Sequence, residues 1–147
     1  MKWIEAKSGK FIFARLFEDE DVLEAIIQIA ERSGIEAGFF FLIGTLKKAK
    51  MGFFHEGRYQ PIEMTEPLEI VSCMGNISIK EKQTLAHAHI AVSNKKGEAF
   101  GGHVLPGCII AATGELVLVE AVDVELQRKL DEKTQLFLWS IGKQYPQ

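Results

Sequence analysis

The chain has 147 residues, a formal net charge of −3 and a sequence pI of about 5.8. With 47% hydrophobic and 25% charged residues, it has the composition of a soluble domain that can bury a core. These values exclude intrinsic disorder, a rod and a disulfide scaffold. They also argue against non-specific binding to nucleic acid or anionic membranes, because that affinity needs an excess of Lys and Arg. The length predicts a single domain over residues 1–147.

The cysteines and the apolar stretches indicate where the protein is found. Cys73 and Cys108 are far apart and form no CxxC motif, so we expect two small buried hydrophobic residues rather than a disulfide or a thiolate metal site. The first ten residues contain charges and no signal-like apolar stretch, and the longest uncharged stretch, 99–114, is broken by Pro106 and several glycines. The sequence therefore predicts a cytoplasmic protein without a membrane span.

The chain opens with a predicted strand at 11–16 and a helix at 20–33, whose apolar residues recur at three- and four-residue spacing. Asp19 is predicted to cap the start of this helix, and Gly34 is predicted to end it. Residues 39–43 are apolar on both faces, which is typical of a central strand or of one whose second face meets another subunit. This strand is expected to continue through 51–54 into a turn.

The rest of the chain is predicted to form mainly strands joined by tight turns. The predicted strands cover residues 59–62, 68–79, 84–93, 99–105, 109–112 and 116–126. The final apolar segment, 134–141, fits either a strand or a short helix. One main N-terminal helix followed mostly by strands predicts the α+β class with a largely antiparallel sheet.

Three histidines form the pattern that indicates chemistry. Residues two apart on a strand share a face, so the side chains of His87 and His89 stand side by side. Residues 94–98 fit a three-residue hairpin loop with Gly97 in the left-handed position. That loop pairs His89 directly with His103 and brings all three imidazoles onto one face. A loop one residue shorter or longer would turn His103 to the other face.

Three neutral imidazoles on adjacent strands are a suitable ligand set for Zn²⁺, with a fourth position left for water or a ligand, and Ni²⁺ or Co²⁺ would also fit. The alternative is a group of solvated strand histidines without a metal, and for His55, beside a turn, we expect a solvated residue. Gly101 and Gly102 precede His103 and are predicted to leave space for a ligand or a partner chain. Glu98 and Glu115 are candidates to support the histidines or to act as a general base.

These motifs resemble the PPC domain, the plant and prokaryote conserved domain. The resemblance covers about residues 11–138 and rests on the H-x-H and G-G-H motifs and on the segments 34–38, 43–46 and 69–75. It implies an α+β domain that assembles as a homotrimer, with His87, His89 and His103 as the metal-site histidines and zinc as the ion. Plant members carry AT-hooks and mediate assembly and partner binding in nuclear proteins. Stand-alone prokaryotic members are often labelled DNA-binding. This sequence has no R-G-R-P AT-hook, which argues against direct DNA binding.

Three functional hypotheses follow from the sequence. The first is a homotrimeric, metal-binding interaction or regulatory module, with a protein partner or a small ligand at the metal. The second is a DNA-associated regulatory protein. The third is a small metal-dependent hydrolase, in which a bound metal lowers the pKa of its water towards 7 and a carboxylate assists. The lack of a recognisable acid–base pair in the sequence favours the first.

Overall fold

The computed structural model describes residues 1–141 and consists mostly of antiparallel strands with one short helix, so the predicted α+β class is correct in outline. No helix among these residues is long and apolar enough to cross a bilayer. The elements in chain order are β1 (Lys7–Leu16), α1 (Val22–Ser33), β2 (Gly38–His55), β3 (Arg58–Met64), β4 (Leu68–Lys80), β5 (Gln83–Ser93), β6 (Ala99–Val104), β7 (Ile109–Val122), β8 (Gln127–Asp131) and β9 (Leu136–Trp139).

The helix α1 begins two residues later than predicted. Its N-cap is Asp21, whose carboxylate accepts hydrogen bonds from two backbone N–H groups of the first turn, at 2.9 and 3.2 Å. The assignment of Asp19 as the cap was wrong, because that residue lies in a turn with a φ of 71° and its carboxylate pairs with Lys47. Gly34 ends the helix in the left-handed conformation, as predicted.

The long strand β2 connects most of the sheet. Its first part pairs with β7 on one side and with β4 on the other, and its second part pairs with β3 and, at Met51 and Gly52, with β6. The strand order is β1-β7-β2-β6-β5-β4-β8-β9, with β3 attached to β2. Among the described strands, only β4 and β8 run parallel. The histidine strands β5 and β6 therefore lie between β2 and β4.

The core lies between α1 and one face of the sheet. Ile26 of the helix belongs to the same buried cluster as Phe40 of β2 and Ala88 of β5. Both cysteines are buried free thiols, as predicted, and burial raises the pKa of Cys73 to about 12 and that of Cys108 to about 11. Both thiols are therefore protonated at neutral pH, and that of Cys108 also donates a hydrogen bond to the carbonyl of Lys50 at 3.3 Å.

The second face of β2 is apolar but open to solvent in the single chain. Phe39 and Phe41 are each 46% exposed and Ile43 is 55% exposed, whereas the alternating Phe40 and Leu42 are buried. The sequence allowed either a central strand buried on both faces or a strand whose second face meets another subunit. The exposure of these side chains rules out burial of both faces within the single chain. The second face is thus available to another molecule.

Two predicted boundaries differ from the structure at the C-terminal side. The predicted strands 109–112 and 116–126 form one strand, β7, because Gly114 between them stays extended and pairs with Gly44 of β2. The undecided segment 134–141 contains a strand, β9, which pairs with β8. Strand β8 was missed because its sequence, QRKLD, has no alternating apolar pattern.

Candidate metal site

The β5–β6 hairpin has the register predicted from its loop, with His89 directly opposite His103. The backbone N–H of Asn94 donates to the carbonyl of Glu98 at 3.1 Å, and Gly97 has a φ of 77°. The side-chain oxygen of Asn94 accepts two further backbone hydrogen bonds within the loop, at 2.9 and 3.1 Å. The local chemistry of this turn therefore decides which way the His103 side chain faces.

The imidazoles of His87, His89 and His103 converge. Their ring centroids are 5.0 to 5.4 Å apart, and one nitrogen from each ring lies within 4.8 Å of the other two. An ion about 2.0–2.1 Å from each nitrogen can bind between them after small ring rotations. His55 lies outside this cluster, with a 55% exposed side chain, as predicted.

The electrostatics of the cluster favour neutral rings. Burial lowers the pKa of His87 to about 4, assisted by the positive charge of Arg128 and by the neighbouring imidazoles. Burial also lowers the pKa of His103, with His89 and Arg128 contributing. Metal ions bind deprotonated imidazole nitrogens, so these rings are in the required form at neutral pH.

One nitrogen of the cluster has an unsatisfied hydrogen-bonding capacity. Nδ1 of His103 is buried and has no hydrogen-bond partner among the described residues. A buried polar atom without a partner lowers the free energy of unfolding by about 1–3 kcal/mol. A metal ion bound to the lone pair of this nitrogen would remove that loss. The donor chemistry and this orphaned atom both fit a borderline divalent ion such as Zn²⁺.

Tyr59 of β3 supports the cluster from one side, a role that the sequence analysis missed. Its ring stacks on the His103 ring at a centroid distance of 4.3 Å and an interplanar angle of 16°. The missing side chain at Gly52 makes room for it, since a Cβ there would lie 2.8 Å from the tyrosine ring. Only the pairing of β3 and β6 with the same strand β2 brings Tyr59 and His103 together.

Arg128 of β8 contacts the cluster from another side and was also missed. Its Nη2 atom lies 3.3 Å from Nδ1 of His87 and donates to the side-chain oxygen of Asn76 at 2.9 Å. Asn76 and His87 are themselves cross-strand partners on β4 and β5. No local motif marks this arginine, because its position depends on the parallel pairing of β8 with β4.

The two glutamates predicted to support the histidines lie elsewhere. Glu98 is at the tip of the hairpin, where its carboxylate accepts a hydrogen bond from the Asn94 side chain at 2.7 Å. It is five residues from His103, or about 16 Å along an extended strand. Glu115 lies on β7, paired with Arg15 and Ile43. Both assignments were wrong, because Glu98 lies too far along its own hairpin and Glu115 lies on a strand that pairs with neither β5 nor β6.

The glycines before His103 serve packing within this chain. A Cβ at Gly101 would lie 2.8 Å from the carbonyl oxygen of Ile90, and one at Gly102 would lie 3.0 Å from that of Gly52. The prediction of open space for a ligand or a partner chain at these glycines was therefore wrong, since β5 and β2 occupy it. The glycines let β6 approach both neighbours closely enough to place His103.

The lowered pKa of His87 predicts a pH dependence for the metal-free protein. This side chain titrates near its ordinary value of 6.5 when unfolded but near 4 when folded. Between these values the unfolded state binds the additional proton, so the free energy of unfolding should fall as the pH decreases from 6.5 to 4. Urea unfolding across this range should show the fall, and His87→Gln should reduce its slope. An unchanged slope in this variant would contradict the assigned pKa.

Comparison with known proteins agrees with the motifs. Residues 4–122 match the Plants and Prokaryotes Conserved (PCC) domain, a range that contains the three histidines and ends before β8. A plant- and prokaryote-conserved (PPC) protein from Pyrococcus horikoshii is 32% identical, with a TM-score of 0.89 over 98% of this chain and 100% of that one. A metal-containing protein from Archaeoglobus fulgidus is also 32% identical, with a TM-score of 0.88 over 95% of this chain and 99% of that one.

Two curated relatives are much longer. They are the bifunctional GlmU proteins of Synechococcus sp. strains JA-3-3Ab and JA-2-3B'a(2-13), which are 28% and 29% identical to this chain over 121 and 122 residues. The match covers 82% of this chain but 18% of those proteins, so the chain spans about a fifth of their length. The extent of the domain match and the similarity to two solved structures over nearly their full length show that this chain belongs to the PCC (PPC) domain family.

Proposed function

We propose that this protein is a metal-binding interaction module in which His87, His89 and His103 hold zinc or another divalent transition metal. The convergence of three imidazoles, two of them with lowered pKa values, carries this proposal. The Archaeoglobus fulgidus relative, which is named as metal-containing, supports it. Metal analysis of protein purified without chelator or affinity tag should find about one ion per chain, and a metal-free product would contradict the proposal.

The surroundings of the cluster favour binding over turnover. A bound ion would supply positive charge and one open coordination position. Around it, Tyr59 holds the His103 ring by stacking, and Arg128 contacts His87. The described residues that line the adjoining cavity include no aspartate or glutamate that could act as a general base. Tyr59 thus orients one candidate ligand and Arg128 adds positive charge, which suits a site that holds a partner or a small ligand.

The proposed module assembles as a homotrimer through the sheet face that carries the histidines. Directly paired residues of neighbouring strands lie on the same face of a sheet. One row of such paired residues crosses β1, β7, β2, β4 and β5, with one residue from each strand. That row consists of Phe13, Val117, Phe41, Met74 and His89. The side chains of Phe13, Phe41 and Met74 are 46–77% exposed in the single chain. A row of exposed apolar side chains that ends at the metal site supports an interface between copies, because such patches are rare on monomers.

Phe41→Lys tests the assembly. Burial of an unpaired lysine charge at this row would make the free energy of association less favourable. The variant should therefore dissociate into monomers of about 16.5 kDa. Light scattering measures the mass directly. Phe53→Lys is the matched control, because Phe53 is 62% exposed but lies outside the row, and it should keep the unmodified protein's mass. A stable monomer in the unmodified protein would contradict the homotrimer.

A further inference from the structure

A cavity of about 240 Å³ opens beside the histidine cluster, between β5 and the β8–β9 hairpin. His87 and His103 form part of its wall, so it adjoins the position that a metal would occupy. Two cations, Lys80 and Arg128, also line it, and no acidic residue does so within the described chain. The remaining wall is largely apolar and includes Leu85, Leu136, Phe137 and Leu138.

Arg128 is held rigidly at this cavity by neutral groups. Its Nε donates to the hydroxyl of Ser78 at 2.8 Å, its Nη1 to the carbonyl of Phe137 at 2.9 Å, and its Nη2 to the Asn76 side chain at 2.9 Å. Ser78 is fully buried, so this anchor is part of the folded framework. Nη2 also lies 3.3 Å from Nδ1 of His87, so these contacts engage four of the five N–H donors of the guanidinium and leave one, on Nη1, available.

The charge of Arg128 is not balanced by a carboxylate within residues 1–141, where every ion pair involves other residues. The second cation of the cavity, Lys80, has its ammonium group 3.7 Å from the centre of the Phe137 ring. In a chain with a net charge of −3, two cations without an acidic neighbour make this cavity a local positive site. A half-buried guanidinium in such a site favours an anionic ligand.

We propose that this cavity binds a small organic monocarboxylate, with its carboxylate on Arg128 and its apolar body against Leu85 and Phe137. The positive charge and the remaining Nη1 N–H of Arg128 suit a carboxylate through one charge-assisted hydrogen bond, and the apolar wall matches a hydrocarbon or aromatic body. At about 240 Å³, the cavity is smaller than the ~300–1,000 Å³ that holds drug-sized ligands, so the ligand is of about the size of benzoate. The inference rests on the proposed function in one respect: a metal held by the histidines strengthens the positive field at the carboxylate.

Calorimetric titration of the full chain with benzoate and with benzamide tests the proposal. Benzamide has nearly the same shape but no charge, so it should bind at least tenfold more weakly than benzoate. Arg128→Gln should weaken benzoate binding at least tenfold. Arg58→Gln is the matched control, because it removes the same charge from an exposed arginine outside the cavity, and it should leave benzoate affinity unchanged.

Metal content, measured on the same samples by emission spectroscopy, separates this inference from the metal-binding proposal. Three results would each overturn the carboxylate site, even in protein that contains one metal per chain. They are equal affinity for benzoate and benzamide, full benzoate affinity in Arg128→Gln, and tighter binding of inorganic phosphate than of benzoate. If the protein contains no metal but its binding of benzoate still depends on Arg128, the carboxylate site is supported and the metal-binding proposal fails. If Arg128→Gln does not fold, the comparison of benzoate with benzamide on the unmodified protein decides.

Discussion

Alanine in place of His87, His89 or His103 is expected to abolish metal binding. Each ring supplies one of three donors, and removal of one leaves an ion with two protein ligands. Substitutions of groups that merely support metal ligands reduce affinity by about 10–100-fold, so loss of a ligand itself should cost at least about 100-fold. Emission spectroscopy after dialysis should find about one ion per chain in the unmodified protein and almost none in the three variants.

His55→Ala is the control for this experiment. His55 is an exposed histidine outside the cluster, so its removal changes the histidine count without changing the site. Far-UV circular dichroism should show the same strand content in all four variants. Unmodified metal content in the three cluster variants would eliminate the proposed site. Equal loss in His55→Ala would show that the measured metal was bound non-specifically.

Phe40→Ala is expected to lower the free energy of unfolding by about 3–5 kcal/mol, the range found for truncation of a buried aromatic side chain. Phe40 is fully buried, and its ring fills the space beside Gly75, where a Cβ would lie 2.5 Å from the ring. Gly75 pairs with Ala88, the residue between the two histidines of β5. The substitution therefore leaves a cavity directly beneath the strand that carries the candidate metal site, which the paired backbones cannot fill.

Urea unfolding measures this loss, with Phe53→Ala as the matched control. The Phe53 side chain is 62% exposed, so its truncation should change the free energy of unfolding by no more than about 0.5 kcal/mol. Excess zinc should raise the unfolding midpoint of both variants, because an ion that binds only the native state stabilises it by mass action. A loss below about 1 kcal/mol in Phe40→Ala would contradict the tight packing beneath β5.

Features that depend on neighbouring residues could be predicted from the sequence. The α1 periodicity and its closing Gly34 are local, and so is the turn of 94–98, whose length sets the register between β5 and β6. Because that register pairs His89 with His103, the face and convergence of the three imidazoles followed from a few adjacent residues. The helix start was less well predicted, since Asp19 and Asp21 are both acceptable caps and the contact of Asp19 with Lys47 of β2 distinguishes them.

The surroundings of the histidines required the tertiary structure. Tyr59 reaches His103 because β3 and β6 both pair with β2, and Arg128 reaches His87 because β8 adds to β4 in parallel. Such long-range pairings are selected by the burial of the whole core and leave no spacing signal in the chain. By itself, therefore, the sequence determined the family, the helix and the clustering of the trio of histidines, because motifs, local turn geometry and alternation suffice for them. Only the tertiary structure decided what contacts that trio, because contacts between distant strands depend on how the complete sheet packs.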